Sequence, residues 1–325
     1  MEQKDEDGIL YLSRADVQAC AVSPDTLEQG LRQAFLRRAE GRAWSHRKVV
    51  IGAGGRNAFR GKGAAMDEPA FGAFKWFGYF PENSRAGLPD FMPTILLNEA
   101  ETGQLVAILD GIWISEIRTA LISLIAARLM ARPDSRRIGF LACGAQARSH
   151  LEVFCRALPL TEVVAYSRRI ETAERFAAAA RDRGLRAWAV TDPRAAIAGC
   201  DIVVSSIPHG ASNTGQLDAG WVEPGTFLAS VDLGFGWRRD SLSVFDRTVT
   251  DDHEQSSVGP GGTLNYDGPF SAELCELVAG RKPGRESATE RNALIFSGTG
   301  LADLAAALII YQAARTKGIG TLLPR

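Results

Sequence analysis

Little in this chain points outward to a charged polymer, a bilayer or a metal. Its 325 residues carry a formal net charge of −1, with 37 Lys and Arg against 38 Asp and Glu and no long block of one sign. A chain so balanced has no global field to gather nucleic acid or an acidic lipid surface, so neither is expected as a partner. No apolar run approaches the roughly 18 residues that a spanning helix needs. The first residues, Met1-Glu-Gln-Lys-Asp-Glu-Asp7, are acidic where a secretory leader would be basic and then apolar. Cysteine is sparse: Cys20, Cys143, Cys155, Cys200 and Cys275 are scattered and form no C-x-x-C pair, which argues against a disulfide framework and a zinc cage. The four histidines, His46, His150, His209 and His253, show no ligand spacing, and Asp251-Asp-His253 alone is too little for a metal. The expectation is a cytoplasmic protein with reduced thiols, no metal, and a function lodged in a local site. The remainder, 46% apolar and 23% charged, is the composition of a globular protein long enough for two hydrophobic cores.

The rhythm of the chain changes near residue 130. Before it, Ile9-Leu-Tyr-Leu12 reads as a short strand and Ser23-Pro-Asp25 as the start of a helix with Leu27, Leu31, Ala34 and Phe35 on its apolar side. Strand-like segments follow at 71–79, 94–98 and 105–110, separated by turn chemistry at Pro81-Glu-Asn83, Gly87-Leu-Pro89 and Glu101-Thr-Gly103. A long helix is predicted from about 114 to 130, ending before Arg132-Pro133 because a residue that precedes proline is pushed out of the α region. From Arg136 strands and helices alternate: 137–143, 147–156, 162–167, 171–183, 185–190, 193–198, 202–207, 226–231 and 244–250. Alternation of this kind makes a parallel, doubly wound sheet. The expected fold class is therefore α/β, a Rossmann doubly wound parallel sheet plus an α+β domain. The expected division is 1–125 with 300–325 for the α+β part and 126–299 for the Rossmann part, the apolar, alanine-rich helix over 300–317 returning to the first domain. The stretch from Gly52-Ala-Gly-Gly55 to Gly61-Lys-Gly63 fails the Walker spacing and reads as a flexible turn. The 259–263 loop, Gly-Pro-Gly-Gly-Thr, reads as a lid or a plain connection.

The most informative run is Arg136-Arg-Ile-Gly-Phe-Leu-Ala-Cys-Gly-Ala-Gln-Ala147, an apolar strand that turns into a helix. In a G-x-G-x-x-G/A turn the first glycine bends the chain, the second lets the backbone approach a pyrophosphate, and the last small residue lets helix and strand pack. Here alanine replaces the first glycine, and the pattern is Ala142-Cys-Gly144-Ala145-Gln146-Ala147. The helix that follows would aim its N-terminal N–H groups at a phosphate. The second strand ends in Ser167-Arg168-Arg169 and not in the carboxylate that accepts ribose hydroxyls. A hydroxyl and two guanidiniums suit a 2′-phosphate, so NADP(H) is favoured, with NAD(H) as the alternative. Ser205 and Ser206, at the end of Asp201-Ile-Val-Val-Ser-Ser-Ile-Pro208, are expected where the fourth strand opens toward the cofactor.

Three cations lie in segments that do not read as solvated helix faces: Arg47 in Ser45-His-Arg-Lys-Val-Val50, Lys75 in Phe74-Lys-Trp-Phe77 and Arg118 in Ile117-Arg-Thr-Ala-Leu121. Buried cations need anionic partners, and a bound carboxylate is one. Lys75-Trp-Phe-Gly-Tyr-Phe-Pro-Glu-Asn83, Gly87-Leu-Pro89, Leu96-Leu-Asn-Glu-Ala-Glu-Thr-Gly103, Ala107-Ile-Leu-Asp-Gly111, Ile114-Ser-Glu-Ile-Arg-Thr-Ala120 and the Gly144 turn, in this order, resemble the ornithine cyclodeaminase/μ-crystallin family. The resemblance implies a homodimer whose substrate-binding and dimerisation domain is made from the N-terminal part and the last helix. It implies that Arg47 and Arg118 clamp the α-carboxylate of a small amino or imino acid, that Lys75 contacts that carboxylate and polarises the reacting group, and that Asp232 is the acid/base. Thr119 is taken with Gly144, Ala145, Gln146, Ser167, Arg168, Arg169, Ser205 and Ser206 as a cofactor contact.

Two departures from the family pattern matter. Asp232 is followed by Leu233-Gly-Phe-Gly-Trp-Arg-Arg-Asp240, which alters the wall expected to receive a substrate's distal group and argues against ornithine. In Gly298-Thr-Gly-Leu-Ala-Asp303 the glycine and aspartate are spaced slightly wider than in the family, and Asp303 is expected to cap the last helix. Three activities follow from the resemblance. One is an NADP(H)-dependent imine reductase or amino-acid dehydrogenase. A second is a cyclodeaminase or N-substituted amino-acid synthase with tightly held, recycled NAD⁺. The third is a non-catalytic NADPH-binding protein of the μ-crystallin kind, against which the retained Arg47, Lys75 and Arg118 weigh.

Overall fold

The computed structural model describes residues 8–208, 215–256 and 263–325. His209 and most of the glycine-rich 259–263 loop, both considered above, lie outside the described residues. The chain divides into two compact units, residues 1–118 with 299–325 and residues 119–298.

The first unit is built on a sheet of β1 (Gly8–Leu12), β2 (Ala43–Ser45), β3 (Val49–Gly52), β4 (Ala58–Asp67), β5 (Ala70–Tyr79), β6 (Phe91–Glu99), β7 (Leu105–Asp110) and β16 (Thr321–Pro324). Its order is β16-β1-β7-β6-β5-β4-β2, with β3 also pairing β4. Only β1 and β7 run parallel; the other pairs are antiparallel. The two 10-residue strands β4 and β5 form the longest ladder, from Ala58↔Tyr79 to Asp67↔Ala70. Helices α1 (Arg14–Ala19) and α2 (Pro24–Ala39) follow β1. Ser23 caps α2, its hydroxyl accepting from the Thr26 N–H at 3.1 Å, and Leu27, Leu31, Ala34 and Phe35 form the buried side as their 3.6-residue spacing requires.

Side chains alternate across a strand, so this sheet has two separate faces. On one, Leu12, Met66, Ala73, Lys75, Phe77, Ile95, Leu97, Ala107 and Leu109 are buried, and α7 (Gly300–Lys317) packs on β4, β5 and β6. The other face carries Tyr11, Val49, Ile51, Phe59 and Met92, all exposed, with Phe74 and Trp76 among them.

The second unit contains β8 (Arg137–Leu141), α4 (Ala145–Ala157), β9 (Glu162–Tyr166), α5 (Ile170–Arg181), β10 (Arg186–Val190), β11 (Ile202–Ser205), β12 (Phe227–Ser230), β13 (Arg247–Thr250), β14 (Ala272–Glu273), α6 (Leu274–Val278) and β15 (Asn292–Ile295). The strand order is β10-β9-β8-β11-β12-β15-β13-β14, and every pair is parallel. The chain winds outward through β9 and β10, then crosses back to β11 on the other side of β8. This is a Rossmann-type doubly wound sheet, and its topological switch point is the β8/β11 pair. Val164, Val203, Leu228, Ala293 and Ile295 are fully buried, as continuous apolar strands in a parallel sheet must be.

Two details differ from the sequence expectation. The helix predicted over 193–198 is a single 3₁₀ turn, Pro193–Ala196, capped by Asp192. The Asn292–Ile295 run, too short to show a period, inserts as β15 between β12 and β13.

Helix α3 (Ile112–Met130) starts in the first unit and continues into the second. It is buried on almost all sides, which explains its nearly continuous apolar sequence. No helix among the described residues is long and apolar enough to cross a membrane.

Candidate functional site

In the second unit the turn after β8 has the geometry of an anion cradle. Ala142 adopts φ 73°, a left-handed conformation that glycine takes freely and alanine takes at a cost of roughly 1–2 kcal/mol. It stands where the dinucleotide fingerprint has its first glycine, so the bend survives the loss of the residue that makes it easy. The amide of Ala142 donates to the Tyr166 carbonyl at 2.9 Å, which ties the turn to the end of β9. Gly144 is the N-cap of α4 and contributes no side-chain cap, and a Cβ built there would meet nothing within 4 Å. There is thus room beside the start of a 13-residue helix that has no side-chain cap, and among the described residues the buried Oε1 of Gln146 in its first turn has no hydrogen-bond partner. An uncapped helix N-terminus, an orphaned polar atom and room beside a glycine fit a bound pyrophosphate.

His150, one helical turn farther on, is fully buried. Its Nδ1 lies 2.7 Å from the Gln146 carbonyl, which can only accept, so Nδ1 carries the proton and Nε2 accepts from the Ser123 hydroxyl at 2.9 Å. Burial pushes its pKa down to about 4, so it is neutral and fixes the first turn of α4.

Across the switch point, β11 and β12 end in a hydroxyl network around Asp232. Ser230 Oγ donates to Asp232 Oδ1 at 2.6 Å and Ser205 Oγ donates to the same oxygen at 3.2 Å. The directions are fixed from behind, because Trp237 Nε1 donates to Ser205 at 2.9 Å and the Gly234 N–H donates to Ser230 at 3.1 Å. Burial raises the Asp232 pKa to about 6, with the Ser230 and Ser205 hydrogen bonds opposing the rise. A carboxyl poised near neutrality can hold or release a proton. The other oxygen, Oδ2, points toward Gly236, where an added Cβ would lie 2.5 Å away.

The 233–240 segment that departs from the family pattern begins with two left-handed residues, Leu233 (φ 61°) and Gly234 (φ 79°). Asn265 Nδ2 clamps it by donating to the carbonyls of Gly234 and Trp237, each at 3.0 Å. Trp237 is fully buried in the core of the unit.

The first unit holds a buried charge cluster. Lys75 Nζ lies 2.8 Å from both oxygens of Asp303 and 3.3 Å from Ser115 Oγ, and Arg118 Nε donates to Asp303 Oδ1 at 2.9 Å. Lys75 and Asp303 are each 1% exposed and Arg118 6%. Burial, reinforced by the Arg118 charge, lowers the Lys75 pKa to about 8 against the pull of Asp303. Burial would raise that of Asp303, but Arg118, Lys75 and Lys62 together hold it below the ordinary carboxylate value. Asp303 is therefore an ion-pair hub and not the cap expected from its position. The cap of α7 is Thr299, whose hydroxyl accepts from the Leu301 N–H at 3.2 Å.

Lys62 was not expected here. It is the register partner of Lys75 in the β4–β5 ladder, points to the same buried face and is 4% exposed. The flexible turn expected through Gly63 is confined to Gly54 and Gly55, both at positive φ; Gly61, Lys62 and Gly63 belong to β4. Their glycines serve close packing. A Cβ on Gly61 would lie 2.3 Å from the Phe74 ring, and a Cβ on Gly300 would lie 2.8 Å from the Gly63 carbonyl.

The remaining expected residues are less concentrated. Arg47 is exposed in the irregular segment between β2 and β3 and is not joined to the cluster among the described contacts, whereas its neighbour Lys48 is half-buried with its pKa lowered to about 8 by burial and by Arg60. Thr119 is buried on α3 and belongs to the second unit. Ser167 is half-buried and Arg168 and Arg169 are exposed at the end of β9, where Arg169 is the N-cap residue of α5. Ser206 hydrogen-bonds through its N–H to Leu141 and through its hydroxyl to the Ala142 carbonyl, bracing the β8 turn.

Comparison with known proteins adds identity to this geometry. Residues 10–318 match the model of a family described as ornithine cyclodeaminase/mu-crystallin. The alanine dehydrogenase of Archaeoglobus fulgidus is 32% identical over 329 residues, covering 96% of this chain and 97% of its own. The Thermococcus litoralis Δ1-pyrroline-2-carboxylate reductase, solved in complex with NADH and L-proline, superposes with a TM-score of 0.87 at 27% identity, covering 96% of this chain and 99% of that one. An archaeal alanine dehydrogenase dimer with bound NAD superposes with a TM-score of 0.84 at 28% identity, covering 97% and 98%.

Proposed function

The chain belongs to the ornithine cyclodeaminase/mu-crystallin family and is a nicotinamide-dependent oxidoreductase of that type, and from this premise we propose that it is an NADP(H)-dependent imine reductase or amino-acid dehydrogenase. Its substrate is a small imino or amino acid, and the bond changed is the one between the α-carbon and nitrogen. One observation carries the reading: a buried cluster in which Lys75 on β5 and Arg118 on α3 converge on a single carboxylate, Asp303 of α7. Asp303 engages Arg118 through Nε, and the two terminal guanidinium nitrogens supply the planar fork that a substrate α-carboxylate accepts. Relatives that act on alanine and on a cyclic imino acid support the substrate class.

The roles follow from the chemistry of each group. Arg118 holds the α-carboxylate, which fixes the α-carbon for the reaction. Lys75 contacts that carboxylate, and its lowered pKa lets it donate or accept a proton beside the imine. Asp232 moves the proton of the substrate nitrogen, its hydroxyl network setting which oxygen is engaged. A bound nicotinamide supplies or accepts the hydride at the α-carbon. Gly144, Ala145 and Gln146 would hold its pyrophosphate, with Thr119, Ser205 and Ser206 beside the rest of the dinucleotide. Ser167, Arg168 and Arg169 take the 2′-phosphate, which favours NADP(H) over NAD(H) in this chain.

In this reading the first unit binds substrate and dimerises while the second binds dinucleotide. The open apolar sheet face with Val49, Ile51, Phe59 and Met92 exposed supports a homodimer, since a monomer rarely leaves so large a patch in water. Five free cysteines, four of them buried, suit the reducing cytoplasm.

The test is NADPH oxidation by the purified protein with imines formed from ammonium and small 2-oxo acids. Lys75→Ala is expected to abolish turnover and leave NADPH binding within a few-fold of the parent. Loss of nucleotide binding together with turnover would make Lys75 a structural residue, and NADPH binding without turnover of any imino, oxo or diamino acid would overturn the enzymatic reading.

A further inference from the structure

We propose that Trp237 is a positioning residue for Asp232, acting through the Ser205 hydroxyl, and that it makes Oδ2 the oxygen that exchanges a proton with the substrate; the inference rests on the reading above in which Asp232 is the acid/base. The 233–240 segment, whose sequence departs from the family pattern, meets this carboxyl in three ways. Trp237 Nε1 donates to Ser205 Oγ at 2.9 Å, and the Gly234 N–H donates to Ser230 Oγ at 3.1 Å. Gly236 lacks a Cβ where one would lie 2.5 Å from Oδ2.

Donor chemistry gives the arrangement its direction. An indole N–H and a backbone N–H can only donate, so both serine oxygens act as acceptors behind Asp232. Each hydroxyl then has one proton to give, and both give it to Oδ1, Ser230 at 2.6 Å and Ser205 at 3.2 Å. The two serines are register partners at the ends of β11 and β12, so their side chains lie on one face of the sheet. Hydrogen bonds to the charged form of a carboxyl favour that form, so an oxygen with two hydroxyl donors is the poorer seat for a proton. Oδ2 is buried and has no hydrogen-bond partner among the described residues; the Ile207 and Gly234 amides favour the carboxylate without reaching hydrogen-bond geometry. The proton therefore sits on Oδ2. In the reducing direction it passes to the substrate nitrogen as hydride from the nicotinamide reaches the α-carbon, and Asp232 is left as the carboxylate. In the oxidising direction the carboxylate takes it back.

Trp237 keeps this arrangement in place. Its ring is fully buried, and Asn265 holds the carbonyls of Gly234 and Trp237 at 3.0 Å each, so the indole N–H has a fixed position. A serine hydroxyl turns to suit its neighbours. The indole occupies the oxygen of Ser205 on one side and so keeps the hydroxyl proton on the Asp232 side, and each bond of such a chain polarises the next. Among the described residues no ionisable side chain acts on Asp232. Burial, the two serines and the two amides set its acidity, which leaves the control to this network.

The experiment uses the full-length protein and two readouts. One is the pH dependence of kcat/KM for imine reduction. The other is pH-difference infrared spectroscopy, in which a buried protonated carboxyl has its own C=O band and no substrate is needed. Asp232→Asn assigns both; a limb and a band that persist in it remove the acid/base reading and the proposal together. Ser205→Ala should move the midpoint up by about one pH unit, the worth of a weak hydrogen bond to a charged group. Trp237→Phe should move it the same way by about half as much or more. The double variant should go no farther than Ser205→Ala alone, because the indole acts through the hydroxyl. A midpoint unmoved by Trp237→Phe, or a shift that adds to that of Ser205→Ala, makes Trp237 structural and overturns the proposal while the acid/base reading stands. Gly236→Ala, which sets a methyl against Oδ2, should lower kcat roughly tenfold or more; an unchanged kcat would remove Oδ2 as the working oxygen. Should Trp237→Phe fail to fold, 3-benzothienylalanine at position 237, which keeps the two-ring shape and has sulfur in place of the N–H, reads the same shift.

Discussion

Asp303→Asn separates two roles that the position of this residue allows. Asparagine is as good a helix N-cap as aspartate, so a capping residue would tolerate the change almost without loss. An ion-pair hub would not. Asp303 is 1% exposed and takes charge-assisted hydrogen bonds from Lys75 at 2.8 Å and Arg118 at 2.9 Å. The amide keeps the volume but removes the charge, so the effect is electrostatic and not a cavity. Removing one partner of a buried pair costs about 3–5 kcal/mol because the other charge stays buried without compensation. For a 325-residue chain that unfolds as one, at about 2.1 cal/mol/K per residue, that corresponds to a fall in Tm of roughly 4–7 °C.

The loss carries a pH signature. Lys75 has a folded pKa of about 8, below its ordinary 10.5, so between the two values the unfolded chain binds more protons and stability rises with pH. Without Asp303, which holds that pKa up, the window opens at lower pH because the lysine sheds its proton sooner. The gap between parent and variant should therefore be widest at about pH 6.5 and narrow toward about pH 9. Denaturant unfolding followed by fluorescence and circular dichroism at both pH values measures it, and agreement of the two probes tests whether a single transition is being read. A loss below about 1 kcal/mol, or one that does not change with pH, would refute the hub. Thr299→Ala provides the contrast, with a pH-independent cost of about 1 kcal/mol for the true cap.

Ala142→Gly should stabilise the second unit by about 0.5–1 kcal/mol, the left-handed strain relieved less the extra chain entropy of glycine, without weakening the dinucleotide; a lower Tm would contradict it. Arg168→Asp should lower the ratio of NADPH to NADH affinity at least tenfold by facing the 2′-phosphate with a carboxylate, and an unchanged ratio would remove the basis for NADP(H). If Asp232 donates a proton to the reducing substrate, kcat/KM should decline as pH rises through about 6. Ser230→Ala removes the 2.6 Å hydrogen bond that favours the carboxylate, so that decline should move to higher pH; a limb that stays in place belongs to another group.

The parallel doubly wound sheet was readable from the chain because its strands are short apolar runs separated by helices, each carrying its own local signal. The β8 turn was readable for the same reason, even with Ala142 in place of glycine, since a strand, a small-residue turn and a helix follow one another within 12 residues of sequence. Boundaries and short pieces were less so. Asn292–Ile295 has four residues and no period, and only its seat between β12 and β13 makes it a strand. The Pro193 segment begins like a helix, with Asp192 and proline, but closes after one 3₁₀ turn.

The charge cluster shows why a site resists such reading more than a fold does. Lys75 stood out through its aromatic neighbours, but Phe74 and Trp76 lie on the opposite face of β5; what surrounds the lysine is contributed by other strands and by α7. Its carboxylate partner is 228 residues away in sequence, and no periodicity links the two. Lys62 was hidden for a different reason. Glycine on both sides usually signals a turn, because its backbone is permissive, yet here the glycines are absences of side chain that admit the Phe74 ring and the first turn of α7. Once β4 is known to be a strand, parity alone puts Lys62 opposite Lys75 on the buried face. The decisive information was thus the register of β4 against β5. Register is a property of two strands together, and it converted a glycine-rich run into a rung that carries two buried lysines.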